Sequence, residues 1–138
     1  MSNSNKSIIP YLTFDGNCEE ALNYYNKVFD GKVTIDNRYD NPAMKAPKEY
    51  HNKVLHASLK FGNNTILASD IFSGRQLNRG SSDTSLSLTA DNSDEGKRMF
   101  EQLAEGGKVH IPFEKQFWGA WHGNLTDEYG IKWMMNCD

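Results

Sequence analysis

Apolar and polar positions alternate along most of this chain in short runs, and two longer stretches instead show helical spacing. Ala21, Tyr25 and Val28 form one apolar stripe, and Met99, Phe100 and Leu103 form another. The predicted helices are Cys18–Asp30 and Ser93–Glu105. The predicted strands are Ile8–Phe14, Val33–Tyr39, Leu55–Phe61, Thr65–Asp70, Thr84–Ala90, Val109–Glu114, Trp118–Leu125 and Ile131–Cys137. The order β-α-β-β-β therefore occurs twice.

The two predicted helices begin with the same sequence pattern. Asn17-x-x-Glu20 opens the first helix in a pattern close to a capping box, and Asn92-x-x-Glu95 opens the second. The repeated unit is too long for a solenoid repeat, so the pattern indicates a duplicated half-domain. We expect an α+β fold with helices outside and two curved sheets facing a shared cup.

These runs define the expected organisation of the chain. Residues 1–7 are predicted to be a flexible N-terminus, and 8–138 a single domain. Within it, module one covers about 8–70, a linker 71–83, and module two about 84–138. The polar segment 40–53 contains two prolines and is predicted to be an excursion or a lid.

Composition narrows the functional classes. A length of 138 residues is enough for one domain with a real core, and the net charge of -3 gives no basic field for nucleic acid. Because no apolar stretch is long enough to cross a bilayer and the first residues are polar, we expect a cytoplasmic protein without membrane contact. Cys18 and Cys137 match neither a disulfide framework nor a zinc spacing, and Cys18 is interpreted as an ordinary small residue.

Several segments together carry a family resemblance. They are Pro10-Tyr-Leu-Thr-Phe-Asp-Gly-Asn17, Glu20-Ala21, Tyr24-Tyr25, Val54-Leu-His-Ala57, Ser69-Asp70, Phe117-Trp118-Gly119 and Thr126-Asp127-Glu-Tyr-Gly-Ile-Lys-Trp133. The chain resembles the PhnB-like branch of the glyoxalase, bleomycin-resistance and ring-cleaving dioxygenase superfamily, also called vicinal oxygen chelate. The resemblance covers nearly the whole chain after its first seven residues. It implies paired βαβββ modules, a homodimer, and, in the enzymes of the superfamily, a divalent metal in the cup.

The positions that hold this metal in the relatives carry unsuitable side chains here. The relatives place His, Gln or Glu on the first strand of each module and on the last strand of the second. The corresponding residues are Tyr11 and Thr13, then Ser85, Ser87 and Thr89, then Lys132, Met134 and Asn136. A register slip of one residue would bring in Leu12, Leu86, Leu88 or Trp133, which are no better ligands. We therefore predict no metal and no other cofactor.

Two histidines are candidates for acid–base chemistry. His56 is expected to share a strand face with Ser58 and Lys60, pointing into the cup. His122 holds the repeat-related position, so the two imidazoles could form a proton-transfer pair or a makeshift metal site. The alternative is that each is hydrogen-bonded locally and does no chemistry. No role is predicted for His51 or His110.

The last third of the chain is rich in large aromatic residues. Phe117 and Trp133 are expected to fill the core. Trp118 and Trp121 cannot both face the same side of a regular strand, so at least one is predicted to line the mouth of the cup. Arg75 and Arg79 are either a clamp for a carboxylate or phosphate, or solvated surface charges.

Three functions remain open. The preferred one is a metal-free homodimer that binds a small apolar or aromatic molecule in the cup. The second is a lyase, isomerase or group-transfer enzyme with His56, Tyr11 or His122 as acid and base. The third is an interaction protein with a vestigial cup. The predicted ligand-binding residues are Tyr11, Thr13, His56, Ser58, Ser85, Ser87, Trp118, Trp121, His122 and Met134.

Overall fold

The computed structural model describes residues 6–72, 76–79 and 83–138. They form two compact units that divide between Leu77 and Asn78. The first unit contains β1 (Tyr11–Phe14), α1 (Cys18–Phe29), β2 (Lys32–Arg38), β3 (Val54–Phe61) and β4 (Asn64–Asp70). The second contains β5 (Leu86–Thr89), α2 (Ser93–Ala104), β6 (Lys108–Lys115), β7 (Trp121–Thr126) and β8 (Lys132–Cys137).

Both units have the same sheet topology. Over the described residues, each unit has one four-stranded mixed sheet, ordered β1-β4-β3-β2 in the first and β5-β8-β7-β6 in the second. The first and last strands of each unit pair in parallel, and the other neighbours pair antiparallel. The predicted α+β class and the twofold βαβββ order are confirmed.

Each helix covers one face of its own sheet. In α1 the apolar stripe is buried, and the ring of Phe29 stacks on Phe61 of β3 with centroids 4.5 Å apart. In α2 the ring of Phe100 stacks on Phe113 of β6 at 5.8 Å. Because side chains alternate along a strand, these contacts identify the helix-covered face of each sheet and leave the opposite face open within its unit.

The N-terminus of α1 is capped differently from the prediction. Within the described part of the chain, the Asn17 side chain makes no cap hydrogen bond. The buried carboxylate of Asp70 instead accepts from the backbone N–H of Cys18 and of Val54, each at 2.9 Å. In α2 the prediction holds, since the Asn92 side chain accepts from the N–H of Glu95 at 2.8 Å. Asp70 thus ties the helix start to two strands.

The C-terminus of α1 also differs. The helix ends at Phe29 and not at Asp30, and Asp30 takes the left-handed conformation just beyond it. Gly31 follows, and a Cβ there would lie 2.2 Å from the carbonyl oxygen of Lys60. The glycine permits close packing of β2 on β3.

The predicted excursion 40–53 contains two short 3-10 turns, Pro42–Met44 and Lys48–Tyr50. Two tyrosines, one within the excursion and one just before it, anchor this segment to the end of β4. The hydroxyl of Tyr50 donates to the carbonyl of Ile71, and the hydroxyl of Tyr39, just before the excursion, donates to the carbonyl of Asp70 at 2.9 Å. No helix in the described ranges is long and apolar enough to span a bilayer.

Candidate functional site

The open face of the first sheet carries several of the predicted site residues. Leu67 of β4 is the cross-strand partner of both Tyr11 in β1 and Ser58 in β3, so these residues form one row across the sheet. The rings of Tyr11 and His56 have centroids 6.3 Å apart, which places His56 beside this row. The face opposite α1 therefore brings Tyr11, His56 and Ser58 together.

His56 has a carboxylate partner. Its Nδ1 lies 2.9 Å from Oδ2 of Asp36 in β2, and both side chains are partly exposed. In a neutral imidazole, a proton on Nδ1 that is donated to the carboxylate leaves Nε2 as the acceptor. This is the arrangement by which a carboxylate orients a histidine base. Asp36 was not singled out from the sequence, because cross-strand partners depend on the register of β2.

His122 is tied to its own sheet. Its Nδ1 lies 2.9 Å from Oδ1 of Asn136 in β8, and the amide of Asn136 donates to the hydroxyl of Ser87 in β5 at 2.9 Å. The local hydrogen bonding considered above is therefore observed for His122. His56 and His122 belong to different units, and their predicted approach to one another stays a prediction.

A pocket of about 500 Å³ lies against the open face of the second sheet. Thr126 of β7 is the cross-strand partner of Lys108 in β6 and of Lys132 in β8, so these three residues form a row along it. The Thr126 hydroxyl and Nε2 of His110 share a hydrogen bond of 2.8 Å. The residues lining the pocket are Ser85, Lys108, His110, Asn124, Leu125, Thr126, Lys132, Trp133 and Met134.

The pocket includes residues that were predicted and residues that were missed. Ser85 and Met134 were expected at a binding site, and both line it. His110, Lys108 and Asn124 were assigned no role. β6 alternates polar and apolar residues (Lys-Val-His-Ile-Pro-Phe-Glu-Lys), so the sequence indicates that Lys108 and His110 share a face. The alternation does not show that this face meets a cavity, because that depends on the neighbouring strands.

The aromatic residues are placed differently from one another. Trp133 is buried as expected, and its Nε1 donates to Oδ2 of Asp127 at 2.9 Å. The prediction for Phe117 was wrong, because its side chain is 96% exposed. A turn over 116–120 carries Phe117 and Trp118 outside the strands. It is closed by hydrogen bonds from the N–H of Gln116 to the carbonyl of Ala120 and from the N–H of Gly119 to the carbonyl of Gln116. The two rings meet edge to face at 4.8 Å.

Trp121 lies on the side of β7 that α2 covers. Its ring is 5.5 Å from that of Phe113, and the ammonium group of Lys97 in α2 lies 4.8 Å from the ring centroid. The expected stacking of Trp121 on a ligand at the open face therefore has no support from this position. Regular alternation was assumed from residue 118, whereas β7 begins only at Trp121.

Arg79 packs its aliphatic stem beside Gly130, where a Cβ would come within 2.9 Å of its Cδ. Arg75 lies outside the described residues.

The donor set does not fit the divalent metal of the superfamily enzymes. The open-face positions of the three relevant strands carry Tyr, Thr, Ser, Lys, Met and Asn. Across residues 6–72, 76–79 and 83–138, no three His, Cys, Asp or Glu side chains converge as metal ligands would.

Comparison with known proteins places the chain. Residues 6–136 match the family described as 3-demethylubiquinone-9 3-methyltransferase. The chain belongs to this family. Protein YjdN of Escherichia coli K12 is 29% identical over 92% of this chain and 92% of its own length.

Two solved structures are similar over nearly their whole length. Protein PA1353 from Pseudomonas aeruginosa is 35% identical with a TM-score of 0.84, covering 97% of this chain and 98% of that one. A putative 3-demethylubiquinone-9 3-methyltransferase, PhnB protein, from Bacillus cereus is 24% identical with a TM-score of 0.78, covering 96% and 100%. Together with the family match over residues 6–136, these similarities confirm the PhnB-like resemblance.

More distant structures show the fold alone. A glyoxalase-related enzyme, a glyoxalase/bleomycin resistance protein/dioxygenase family enzyme and the fosfomycin resistance protein FosX align at 10–14% identity with TM-scores of 0.58–0.64. Both βαβββ units therefore have the glyoxalase/bleomycin-resistance fold.

Proposed function

We propose that this PhnB-like protein binds a small organic molecule on the open face of its second sheet, without the help of a metal ion. The observation that carries the proposal is the pocket of about 500 Å³. Its volume falls within the range of about 300–1,000 Å³ that is typical of small-molecule sites. A protein used only for its outer surface has no need of such a pocket, which favours binding over a vestigial cup.

The lining supports a ligand with an apolar body and polar substituents. Met134 offers an adaptable thioether, and the stem of Lys132 adds apolar surface. Ser85, Asn124 and Thr126 supply hydrogen-bonding groups that would fix orientation. A flat aromatic body remains compatible with this lining, although the indole of Trp121 lies on the other side of the sheet.

A ligand screen tests this function. The purified protein is examined by native mass spectrometry and thermal unfolding against a library of small molecules. The library includes flat aromatics, and it includes S-adenosylmethionine because the family description names a methyltransferase. A bound ligand should raise the melting temperature, because it binds the folded state only. Ser85→Tyr should fill the pocket and remove the shift. Thr89→Tyr, on the exposed end of β5 outside the pocket lining, is the matched control.

Retention of full binding by Ser85→Tyr, or a library without a single hit, would count against the pocket. Metal independence is tested separately. Chelation with EDTA should leave both the melting temperature and ligand binding unchanged, since the residues present do not fit a divalent cation. Stoichiometric zinc, nickel, manganese or iron in the purified protein would refute it.

A second function is favoured by one observation, the contact between His56 and Asp36. An imidazole oriented by a carboxylate, with a tyrosine ring 6.3 Å away, is suited to moving a proton in a lyase or isomerase reaction. If a ligand of the protein exchanges a C–H proton with deuterated solvent, His56→Gln and Asp36→Asn should abolish the exchange and leave binding intact. Asp40→Asn, an exposed acid of the same unit, is the control. Unchanged exchange in His56→Gln would exclude this role.

We also propose that the protein is a homodimer. In their own sheets β2 and β6 are edge strands, and Val109 and Ile111 of β6 are more than 40% exposed. Exposed apolar edges are commonly covered by a partner. Size exclusion with light scattering should give twice the chain mass. A monomer at micromolar concentration would contradict the proposal.

A further inference from the structure

We propose that the molecule bound at the second-sheet pocket carries an anionic group, a carboxylate or a phosphate, that lies between Lys108 and Lys132. This inference rests on the proposed binding function and names the class of its ligand. The basic residues arise from neighbouring strands, and the register of the sheet brings them to one pocket.

The row Lys108, Thr126 and Lys132 provides the geometry. Thr126 is the direct partner of both lysines, so each lysine lies one strand away from it. Adjacent strands are about 4.8 Å apart, which puts the two lysine backbones roughly 10 Å apart on either side of the threonine. Lysine side chains are long enough for both ammonium groups to reach a single anion placed over Thr126.

His110 lies at the same end of the pocket. Two residues beyond Lys108 on β6, it shares its hydrogen bond with the Thr126 hydroxyl. That bond holds the imidazole beside the lysine row. Asn124 also lines the pocket. It lies two residues before Thr126 on β7, on the same face of the sheet, and its amide adds N–H donors.

The charge distribution points the same way. Three of the described residues that line the pocket are basic, namely Lys108, His110 and Lys132. No Asp or Glu is among the described lining residues. The chain as a whole carries a net charge of -3, so this concentration of basic groups is local.

The experiment uses matched probes on the full-length chain. Benzoate and phenyl phosphate share an aromatic ring and differ in the anion, while benzamide presents a neutral group on the same ring. Affinities are measured by calorimetry or by chemical-shift changes of Thr126 and Met134 at one fixed ionic strength. Variants are Lys108→Met, Lys132→Met and the double substitution. Lys115→Met, an exposed lysine of β6 outside the pocket lining, is the control.

We expect the anionic probes to bind more tightly than benzamide, and the double substitution to weaken them by roughly tenfold or more. Benzamide binding should change less than about twofold, and Lys115→Met should behave like the unmodified chain. Tighter binding of phenyl phosphate assigns a phosphate ligand, and tighter binding of benzoate assigns a carboxylate.

The failures can be told apart. Equal affinity for benzoate and benzamide, or anion binding that survives the double substitution, overturns the anionic ligand and leaves the pocket as a neutral binding site. Absence of any shift at Thr126 and Met134 with every probe at millimolar concentration also overturns it. If the library screen on Ser85 variants fails as well, the binding function itself is refuted.

Discussion

Asp70 should be among the most sensitive positions for stability in the first unit. Its side chain is 2% exposed, and its two carboxylate oxygens accept from the N–H groups of Cys18 and Val54. Asp70→Ala would leave both donors without their partners in a buried place. Each unsatisfied buried donor costs about 1–3 kcal/mol, and the value for Cys18 includes loss of the helix cap.

The opposing effect is smaller but has the other sign. The substitution also removes a carboxylate whose burial costs free energy, and that cost is recovered. The expected net loss is therefore about 2–4 kcal/mol, a large part of the roughly 5–15 kcal/mol that stabilises a domain. Asp70→Asn keeps the shape and one accepting oxygen, but turns an NH₂ group toward the other donor. The Asp70→Asn variant should therefore lose about half as much free energy of unfolding as Asp70→Ala.

Urea denaturation followed by circular dichroism measures both variants. Asp40→Ala, an exposed acid of the same unit, should change the free energy of unfolding by less than about 0.5 kcal/mol. A loss below about 1 kcal/mol for Asp70→Ala, or one equal to that of Asp40→Ala, would show that the two hydrogen bonds do not hold α1 in place.

Three further predictions concern buried and exposed side chains. Burial, followed by neighbouring carboxylates, raises the pKa of the Cys18 thiol to about 12. In a Cys137→Ser background, Cys18 should therefore resist Ellman's reagent at mildly alkaline pH until urea unfolds the chain. Burial also raises the pKa of Tyr50 to about 12. The stability that this proton contributes is present below the unfolded pKa of about 10 and is lost as the pH rises toward 12. The rise in tyrosinate absorbance near pH 12 should therefore be smaller in Tyr50→Phe than in the unmodified chain. Trp118→Ala should lower the free energy of unfolding in urea by less than about 0.5 kcal/mol, because its ring is exposed. Trp133→Phe should lower it by about 1–3 kcal/mol, because it removes the buried hydrogen bond from the indole to the Asp127 carboxylate.

The duplicated architecture could be predicted because its signals are local. Apolar stripes at helical spacing and alternation within strands depend on residues a few positions apart, and both α1 and α2 were placed within two residues at each end. The glycines at positions 62 and 130 likewise lie in the short turns that join strands.

The residues of the candidate site were harder to predict from the sequence, because their contacts depend on which strands lie side by side and in which register. Asp36 meets His56, and Thr126 meets both lysines, only through the register of the sheets. The turn before β7 is a second feature that the prediction from sequence missed. Phe117 is a large apolar residue of the type that usually packs in a core, and the prediction followed its residue type. The local signal of the turn that exposes it was Gly119, which takes a φ of 100° there.

The two helix caps differ in how far along the chain their partners lie. Asn92 reaches Glu95 three residues on, whereas Cys18 is capped by Asp70, a separation of 52 residues. Closing the longer loop costs more chain entropy and cannot occur before β4 has been synthesised. During translation, α1 should therefore fray until the first sheet is complete, while α2 can form as soon as its own segment is available. The halves of this duplicated fold are similar in topology, but they should follow different folding routes.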